Sequence, residues 1–538
     1  MRKQILSVML AGAMVLGMAG AAVTVSADAS DGIFRWAETI DPTTLDQSKA
    51  DCILDNEVNH ATQACLVRNT AGEINPDIAE SWEVSDDGLV YTFHLRDALW
   101  SDGEPIKADD YVYGLQRLMD PATASEYAFI GEYVKNGAAV ESGEMAPEEL
   151  GIKALDDKTV EITLERPTSY FLSLVGSAAQ YAPVRRDVVE EFGTDFAATA
   201  DKNVYSGPFC IVSTDAGSYV FAKNENYWDA DSIHLNGAEL IVVPDTSTQV
   251  AMFESGDLDF VKVPTDVVPM YDDIDYEYMN GNEDYFYINE ESTNPILSDK
   301  NFRLALNYAL DRNSYILLAT NGVYSPSNTL VMPLVAGYDG KNYGECYELN
   351  SYPLDGDQEK ALEYLQAAMD ANGISDPSEI TVEITTTDVE SSKKIAEVAQ
   401  ELLQQALGIN VDIRQVTYSE IYGNVLPSGD YEIGFGGWGP DYSDPYTYLE
   451  LFKSDCPYNY SNYKNEEFDA LLTASQTETD EKARMDLLNQ AEQILLDDGA
   501  FIPLQCRQQH YMTNDALEGM NFYFCSINTD WTEAAFTE

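Results

Sequence analysis

The pattern that most constrains the fold is a strand–helix–strand unit in the second half of the chain. The pattern predicts a strand at residues 380–384, a helix at 391–406 and another strand at 409–416. Elsewhere, alternating strands such as 89–95 and 159–164 mix with helices without strict alternation. We therefore predict an α/β chain (mixed α+β) with several sheets.

Further elements follow from the same periodicities. Residues 301–318 predict one helix, residues 431–435 a strand that enters a Gly-rich turn, and residues 480–496 a long amphipathic helix. No internal repeat or low-complexity linker marks a domain boundary. This suggests domains that are built from discontinuous segments of the chain.

The overall charge excludes some partners. The chain has 538 residues, and its 45% hydrophobic content is enough for a large core, so wholesale disorder is excluded. Lys and Arg number 30 against 93 Asp and Glu, which gives a net charge of −63. Such a chain repels nucleic acid and anionic membranes, so we expect no nucleic-acid partner and interpret the acidity as a solvated surface.

The N-terminus has the pattern of a secretory signal peptide. Arg2 and Lys3 precede an uncharged stretch, residues 5–25, and small residues then lead to Ala27. We predict cleavage after Ala27 and export of the mature protein; the alternative is an uncleaved membrane anchor. The first cysteine is Cys52, so no cysteine is placed for a lipid anchor at the end of the signal segment.

The residues that usually carry chemistry form no ordered set. The four histidines lack metal-site spacing, and the chain has neither a GxSxG elbow nor a GK[ST] phosphate loop. We therefore predict no catalytic residue, no metal and no cofactor. Seven cysteines are an odd number, and whether Cys52 and Cys65 form a local bridge stays open.

One glycine-rich segment has two interpretations. Residues 434–439 match GxGxxG after a strand, but Pro440 and Asp441 follow where a dinucleotide site needs a helix N-terminus. The glycines allow close approach of a ligand, Trp438 offers a flat apolar wall and Asp441 a charge for a cation. The structural alternative is a strand end with a packed tryptophan.

Seven sequence blocks resemble one known family. They are DDGLVYTFHLR at 86–96, WSDGEPIKADDYVY at 100–113, DPATASEYA at 120–128, YSGPF at 205–209, NENYW at 224–228, DKNFRLALNYALDRN at 299–313 and GWGPDYSDP at 437–445. In this order they resemble the peptide/nickel-binding family (family 5) of extracellular solute-binding proteins of ABC transporters, in its oligopeptide-binding branch. The resemblance covers essentially the whole mature chain.

The resemblance implies a periplasmic-binding-protein-like clamp of two lobes with an extra inserted domain. The implied segments are a signal peptide at 1–27, domain I at 28–62, 186–285 and 510–538, the inserted domain II at 63–185, and domain III at 286–509. The ligand is expected between the first and third domains. The implied function is to capture short peptides and deliver them, as a monomer, to the membrane permease subunits of an ABC importer.

The resemblance also implies a set of ligand-binding residues. Asp441 falls where the family pairs a carboxylate with the α-ammonium of the peptide. Gly437 and Gly439 fall where backbone groups bond the peptide main chain, and Trp438 is the tryptophan of that loop. Tyr127 falls where a contact helps to hold the amino end.

One departure and two alternatives accompany this expectation. Phe435 stands where oligopeptide binders often have an arginine for the peptide carboxylate, so the carboxylate end and the peptide length stay open. On Phe435 alone, we expect that amidation of the peptide changes its affinity little. The alternatives are the same fold with a sugar or nickel-chelate ligand, and an exported hydrolase that uses carboxylates.

Overall fold

The largest element of the molecule is an 11-stranded mixed sheet, here called the large sheet. The computed structural model describes residues 32–70, 73–215, 217–271 and 274–537, so the predicted signal peptide lies outside the described residues. Ser325–Pro326 adds to one strand of the large sheet, and the other ten follow in the lateral order Asn410–Val416, Thr381–Thr387, Ile433–Trp438, Tyr276–Ile288, Phe501–Thr513, Phe260–Lys262, Ile33–Glu38, Gly237–Val242, Ser218–Lys223 and Phe209–Ser213.

The predicted strand–helix–strand unit is confirmed at one edge of this sheet. Thr381–Thr387 and Asn410–Val416 pair in parallel, and the helix Glu390–Leu407 connects them. The helix buries Ile395, Ala396, Ala399, Leu403 and Leu407 along one stripe. Crossover connections of this kind are what parallel strands require.

Two long strands continue through the middle of the large sheet. Tyr276–Ile288 and Phe501–Thr513 have 13 residues each and pair antiparallel. Their register shifts between Met279 and Glu283, which surround Gly281 with its φ of 79°. A Cβ at this glycine would lie 2.4 Å from the carbonyl oxygen of Phe524, so both the backbone angle and the close approach require glycine.

A smaller antiparallel sheet lies in the segment 79–181, which we call the small unit. Its strands, in order, are Ala79–Val84, Val90–Leu95, Thr159–Thr163 and Ile152–Asp156. The helix Ala108–Met119 contacts the last two of these strands and buries Tyr111, Leu115 and Leu118, as its periodicity predicts. The mixture of sheets and helices confirms the predicted fold class.

The remaining elements complete the layers around both sheets. The other α-helices are Ile53–Thr62, Gly137–Glu141, Phe171–Ser177, Arg186–Phe192, Thr246–Ser255, Lys300–Ala309, Arg312–Thr320, Tyr343–Cys346, Gln358–Asn372, Tyr418–Glu420, Leu426–Ser428, Tyr446–Leu449, Glu466–Ser475 and Glu481–Asp498. The short strands are Val67–Thr70, Glu73–Pro76, Leu517–Glu518, Asn521–Phe522, Thr529–Asp530 and Ala535–Phe536.

Two local predictions were wrong. The single helix predicted at 301–318 is two helices, because Asp311 caps a new helix by accepting a hydrogen bond from the Ser314 backbone N–H, 2.9 Å away. The strand predicted to end at Phe435 continues to Trp438, so its glycines lie in the sheet. A Cβ at Gly436 would lie 2.5 Å from the ring of Tyr287, which explains the glycine there.

Two further observations concern cysteines and membrane spans. All seven cysteines, which lie within the described residues, are free thiols, so Cys52 and Cys65 are not bridged. In the part of the chain that the structure describes, no helix has the length and apolar character that a membrane crossing needs.

Candidate ligand-binding site

A cavity of about 520 Å³ lies where the small unit meets the large sheet. Its walls come from the end of the strand Ile33–Glu38, the start of the helix Ile53–Thr62, the small unit, the loop after Trp438 and the segment 524–529. Parts of the chain that are far apart in sequence therefore form one site. Its size is within the range of cavities that hold small organic ligands.

Asp441 lines this cavity from the loop that follows the strand Ile433–Trp438. The loop is fixed on both sides, because the Asp441 N–H donates to Thr447 Oγ1 at 3.2 Å and the Asp441 carbonyl accepts from Ser526 Oγ at 3.1 Å. The carboxylate accepts one hydrogen bond, from the Tyr127 hydroxyl at 3.0 Å. This side chain is thus held in position, and no charged group of the described part of the chain pairs with it.

The electrostatics of Asp441 follow from that environment. Burial raises its pKa to about 6, and the Tyr127 hydrogen bond lowers it only in part. A carboxylate that is desolvated and has only a neutral donor gains most from a cation placed beside it. The site is therefore suited to an ammonium group.

Tyr127 reaches this carboxylate from the small unit. It immediately precedes the 3-10 turn Ala128–Gly131, and its ring packs at 4.7 Å from the ring of Phe129. Burial and the neighbouring Asp441 carboxylate raise the pKa of its hydroxyl, so it remains a donor at neutral pH. The hydrogen bond joins the two units across the cavity.

Of the other predicted residues, one lines the cavity and two do not. Gly439 lines the cavity, and a Cβ there would lie 2.9 Å from Asn282 Oδ1. Gly437 and Trp438 are the last residues of their strand and do not line the cavity. The Trp438 ring instead packs 5.5 Å from the ring of Tyr458. The structure therefore brings Asp441, Tyr127 and Gly439 together, and the contacts predicted for Gly437 and Trp438 stay predictions.

Four charged residues that line the cavity were not found from the sequence; one is Asp51, and the other three form a cluster. Glu38 and Lys262 end two neighbouring parallel strands, whose register places Trp36 opposite Phe260. Glu57 comes from the helix Ile53–Thr62. None has a motif around it, and only the pairing of strands 33–38 and 260–262 could have indicated the cluster.

All three groups have pKa values that are shifted by burial. Burial raises the pKa of Glu57 to about 8, and the nearby Glu38 carboxylate adds to this effect. Burial likewise raises the pKa of Glu38 and lowers that of Lys262. Glu57 is held by the backbone N–H groups of Asn528 and Thr529, at 3.0 and 2.9 Å. Within the described residues, the Lys262 ammonium has no hydrogen bond or ion pair and faces the cavity.

One group of side chains at the cavity edge has metal-ligating atoms close together. Asp51, Cys52 and Asp55 lie within 4.8 Å of one another. However, Asp55 already accepts hydrogen bonds from the backbone N–H of Thr43, at 2.7 Å, and from its hydroxyl. The carboxylate of Asp55 therefore fixes the loop before its helix.

The fold and the cavity define a solute-binding protein. The chain belongs to the bacterial extracellular solute-binding proteins, family 5, whose middle region matches residues 73–460. This confirms the family resemblance that was drawn from the sequence blocks.

Named relatives and a solved structure agree with this assignment. The oligopeptide-binding protein OppA of Bacillus subtilis (strain 168) is 30% identical, over 89% of this chain and 88% of its own. The probable deoxycholate-binding periplasmic protein YgiS of Escherichia coli (strain K12) is also 30% identical, over 88% of this chain and 87% of its own. The structure of Listeria monocytogenes OppA bound to peptide matches with a TM-score of 0.73 and 30% identity, covering 94% of this chain and 99% of that one. The periplasmic-binding-protein-like architecture is thereby confirmed.

Proposed function

We propose that this protein captures short peptides outside the cytoplasm and delivers them to the permease subunits of an ABC importer. The observation that carries the proposal is the Asp441 carboxylate, which lines the cavity with a neutral hydrogen-bond donor as its partner. A peptide amine supplies the missing positive charge. The peptide-bound Listeria relative and the oligopeptide-binding Bacillus relative support the same ligand class.

A ligand without an amine is the main alternative. One relative is named for deoxycholate, which is an anion at neutral pH. Asp441, Glu38 and Asp51 line the cavity, and such carboxylates disfavour an anionic ligand. A neutral sugar can donate hydroxyl hydrogen bonds to Asp441, but it brings no positive charge to this desolvated carboxylate.

The proposal includes export and the absence of catalysis. We propose that residues 1–27 are removed, so that the mature protein begins near Asp28, and that the domain segments follow the boundaries given above. We also propose that bound peptides leave the protein uncut. Mass spectrometry of the intact protein and of a peptide pool after incubation tests both points, and cleaved peptides would favour the hydrolase alternative.

The decisive experiment is a double-mutant cycle on Asp441. We expect Asp441→Ala to cost about 2–5 kcal/mol of binding free energy, because it leaves a buried ammonium unpaired. That is a loss of roughly 30-fold to several thousand-fold in affinity. Acetylation of the peptide amine should cause a similar loss in the wild type and little further loss in the variant.

An exposed aspartate away from the cavity provides the control variant. Asp430→Ala removes an exposed carboxylate that pairs with Arg414, so it should leave affinity unchanged. Calorimetric titration measures all combinations. Additive losses from Asp441→Ala and acetylation would mean that the amine and this carboxylate do not meet, and would overturn the proposed role.

A further inference from the structure

A peptide held by its amine at Asp441 also has a carboxylate to place. Phe435 has no charge to offer this carboxylate. Its ring is buried and packs 5.9 Å from the ring of Phe286. The question is therefore whether another cation faces the same space. Two arginine or lysine side chains come into consideration, Lys262 inside the cavity and Arg507 at its margin.

Arg507 belongs to the same strand as two residues that line the cavity, although it is not itself a lining residue. Tyr511 and Gln509 both line the cavity from the long strand Phe501–Thr513. Side chains two residues apart in a strand point to the same face, so Arg507 is the next side chain on that face. Its side chain is 44% exposed, although its strand lies inside the large sheet with a neighbouring strand on each side.

The guanidinium of Arg507 is held by a buried carboxylate. Its Nε donates to both oxygens of Asp284 at 3.0 and 2.9 Å, and Nη2 lies 2.9 Å from Oδ1. Gln505 Nε2 donates to the same carboxylate at 2.8 Å, and Asp284 is only 2% exposed. Within the described residues, Nη1 of Arg507 has no hydrogen-bond partner. The arginine is thus oriented and still has free donors.

Gly437 makes this arrangement possible. It pairs with Asp284 across the sheet, and a Cβ at this position would lie 2.7 Å from Asp284 Oδ1. Any larger residue would displace the carboxylate that orients Arg507. The glycine therefore has a reason for its presence that does not depend on a direct ligand contact.

We propose that Arg507, oriented by Asp284, binds the α-carboxylate of the peptide, so that Asp441 and Arg507 receive its two ends. This inference rests on the proposed function. The strand before Asp441 and the strand of Arg507 are separated by one strand, hence by on the order of 10 Å. An extended ligand of about three residues has a comparable length, so tripeptides are the ligands used to test this inference. The inference runs against the expectation that was drawn from Phe435 alone.

The test compares free and amidated peptides. Ligand-free wild-type protein and Arg507→Gln are titrated with an equimolar pool of tripeptides and with the same pool amidated at the C-terminus. We expect Arg507→Gln to lose about 10- to 100-fold in affinity for the free acids, the range for truncating one partner of a partly desolvated charge pair. For the amides we expect less than about threefold loss, so the acid-to-amide ratio falls by about 10-fold or more.

Two control variants separate the possible causes. Arg414→Gln also removes one positive charge from an arginine–aspartate pair, with Asp430, and it lies at the sheet edge away from the cavity. It should leave the acid-to-amide ratio unchanged, which excludes a general effect of net charge. Arg507→Lys keeps the charge and should recover part of the ratio, even if Arg507→Gln is less stable.

The outcomes distinguish this inference from the proposed function. An unchanged ratio in Arg507→Gln, or a ratio that collapses in Lys262→Gln instead, would overturn the role of Arg507. If the role of Arg507 is overturned but acetylation of the peptide amine still weakens binding, the proposed function stands without a role for Arg507. If neither pool binds the wild type, the proposed function itself fails.

Discussion

Two aspartates three residues apart in one loop have opposite surroundings. Asp444 is 3% exposed, and its two oxygens accept hydrogen bonds from the Arg484 guanidinium at 2.7 and 3.0 Å. It also accepts from the Tyr446 backbone N–H at 2.9 Å. Among the residues that the structure describes, Asp441 has only the Tyr127 hydroxyl as a hydrogen-bond partner for its carboxylate. Both belong to the block at 437–445, in which the family resemblance singles out Asp441, but nothing in the sequence shows that Asp444 is paired with Arg484.

One aspartate of this loop stabilises the fold, and the other is available to a ligand. Asp444 and Arg484 neutralise each other next to Tyr170, whose ring stacks on Tyr442 at 4.2 Å and nearly parallel. Tyr170 belongs to the small unit, so this cluster joins the small unit to the loop. A carboxylate whose charge is already paired stabilises the fold, whereas one without a cation is available to a ligand.

The largest expected effect concerns Asp444. We expect Asp444→Ala to lower the free energy of unfolding by about 3–5 kcal/mol, because it leaves the Arg484 charge buried without its partner. Asp441→Ala removes a desolvated carboxylate and should leave the stability of the ligand-free protein unchanged or higher. Denaturant unfolding of both variants checks this. Equal destabilisation by the two substitutions would remove the distinction between the two aspartates.

The sequence predicts the strand–helix–strand unit better than it predicts the residues of the cavity. Periodicity was sufficient for the strand–helix–strand unit at 381–416, since its strands and helix are long and regular. The family blocks led to Asp441 and Tyr127, but only the fold shows that they meet. Lys262 could not be predicted as a cavity residue, because its exposure depends on strand pairing between distant segments. The split of the helix predicted at 301–318 could have been predicted, since Asp311 is a favourable N-cap residue.

A smaller effect is expected from pH. Since the pKa of Asp441 is raised to about 6, its carboxylate becomes protonated as the pH falls through 6. The protein should then lose about tenfold in peptide affinity between pH 7 and pH 5. For folding the sign is opposite: a pKa raised from 3.8 means that this group favours the ligand-free fold more as the pH falls.

Two measurements separate Asp441 from the other acids of the cavity. Glu38 and Glu57 also have raised pKa values, and they stay in place in Asp441→Ala. Titrations at pH 5, 6, 7 and 8 should therefore show the loss in the wild type and a much flatter profile in the variant. The same slope in both proteins would assign the pH dependence to the glutamates.

The smallest effect is expected from the hydroxyl of Tyr127. Tyr127→Phe keeps the ring and removes the donor to Asp441, so the pKa of Asp441 should rise further. A net hydrogen bond contributes about 1 kcal/mol, a factor of about five in the protonation equilibrium of Asp441. We therefore expect about a fivefold loss in affinity at pH 5, where most of this carboxylate is protonated, and less than about a twofold loss at pH 7. The loss should shrink towards pH 8, where the carboxylate is ionised in both proteins. Tyr458→Phe is the matched control, because Tyr458 packs on Trp438 through its ring and should keep wild-type affinity. A Tyr127→Phe loss that does not vary with pH would mean that the hydroxyl contacts the ligand itself, and the contrast between Asp441 and Asp444 would then rest on charge pairing alone.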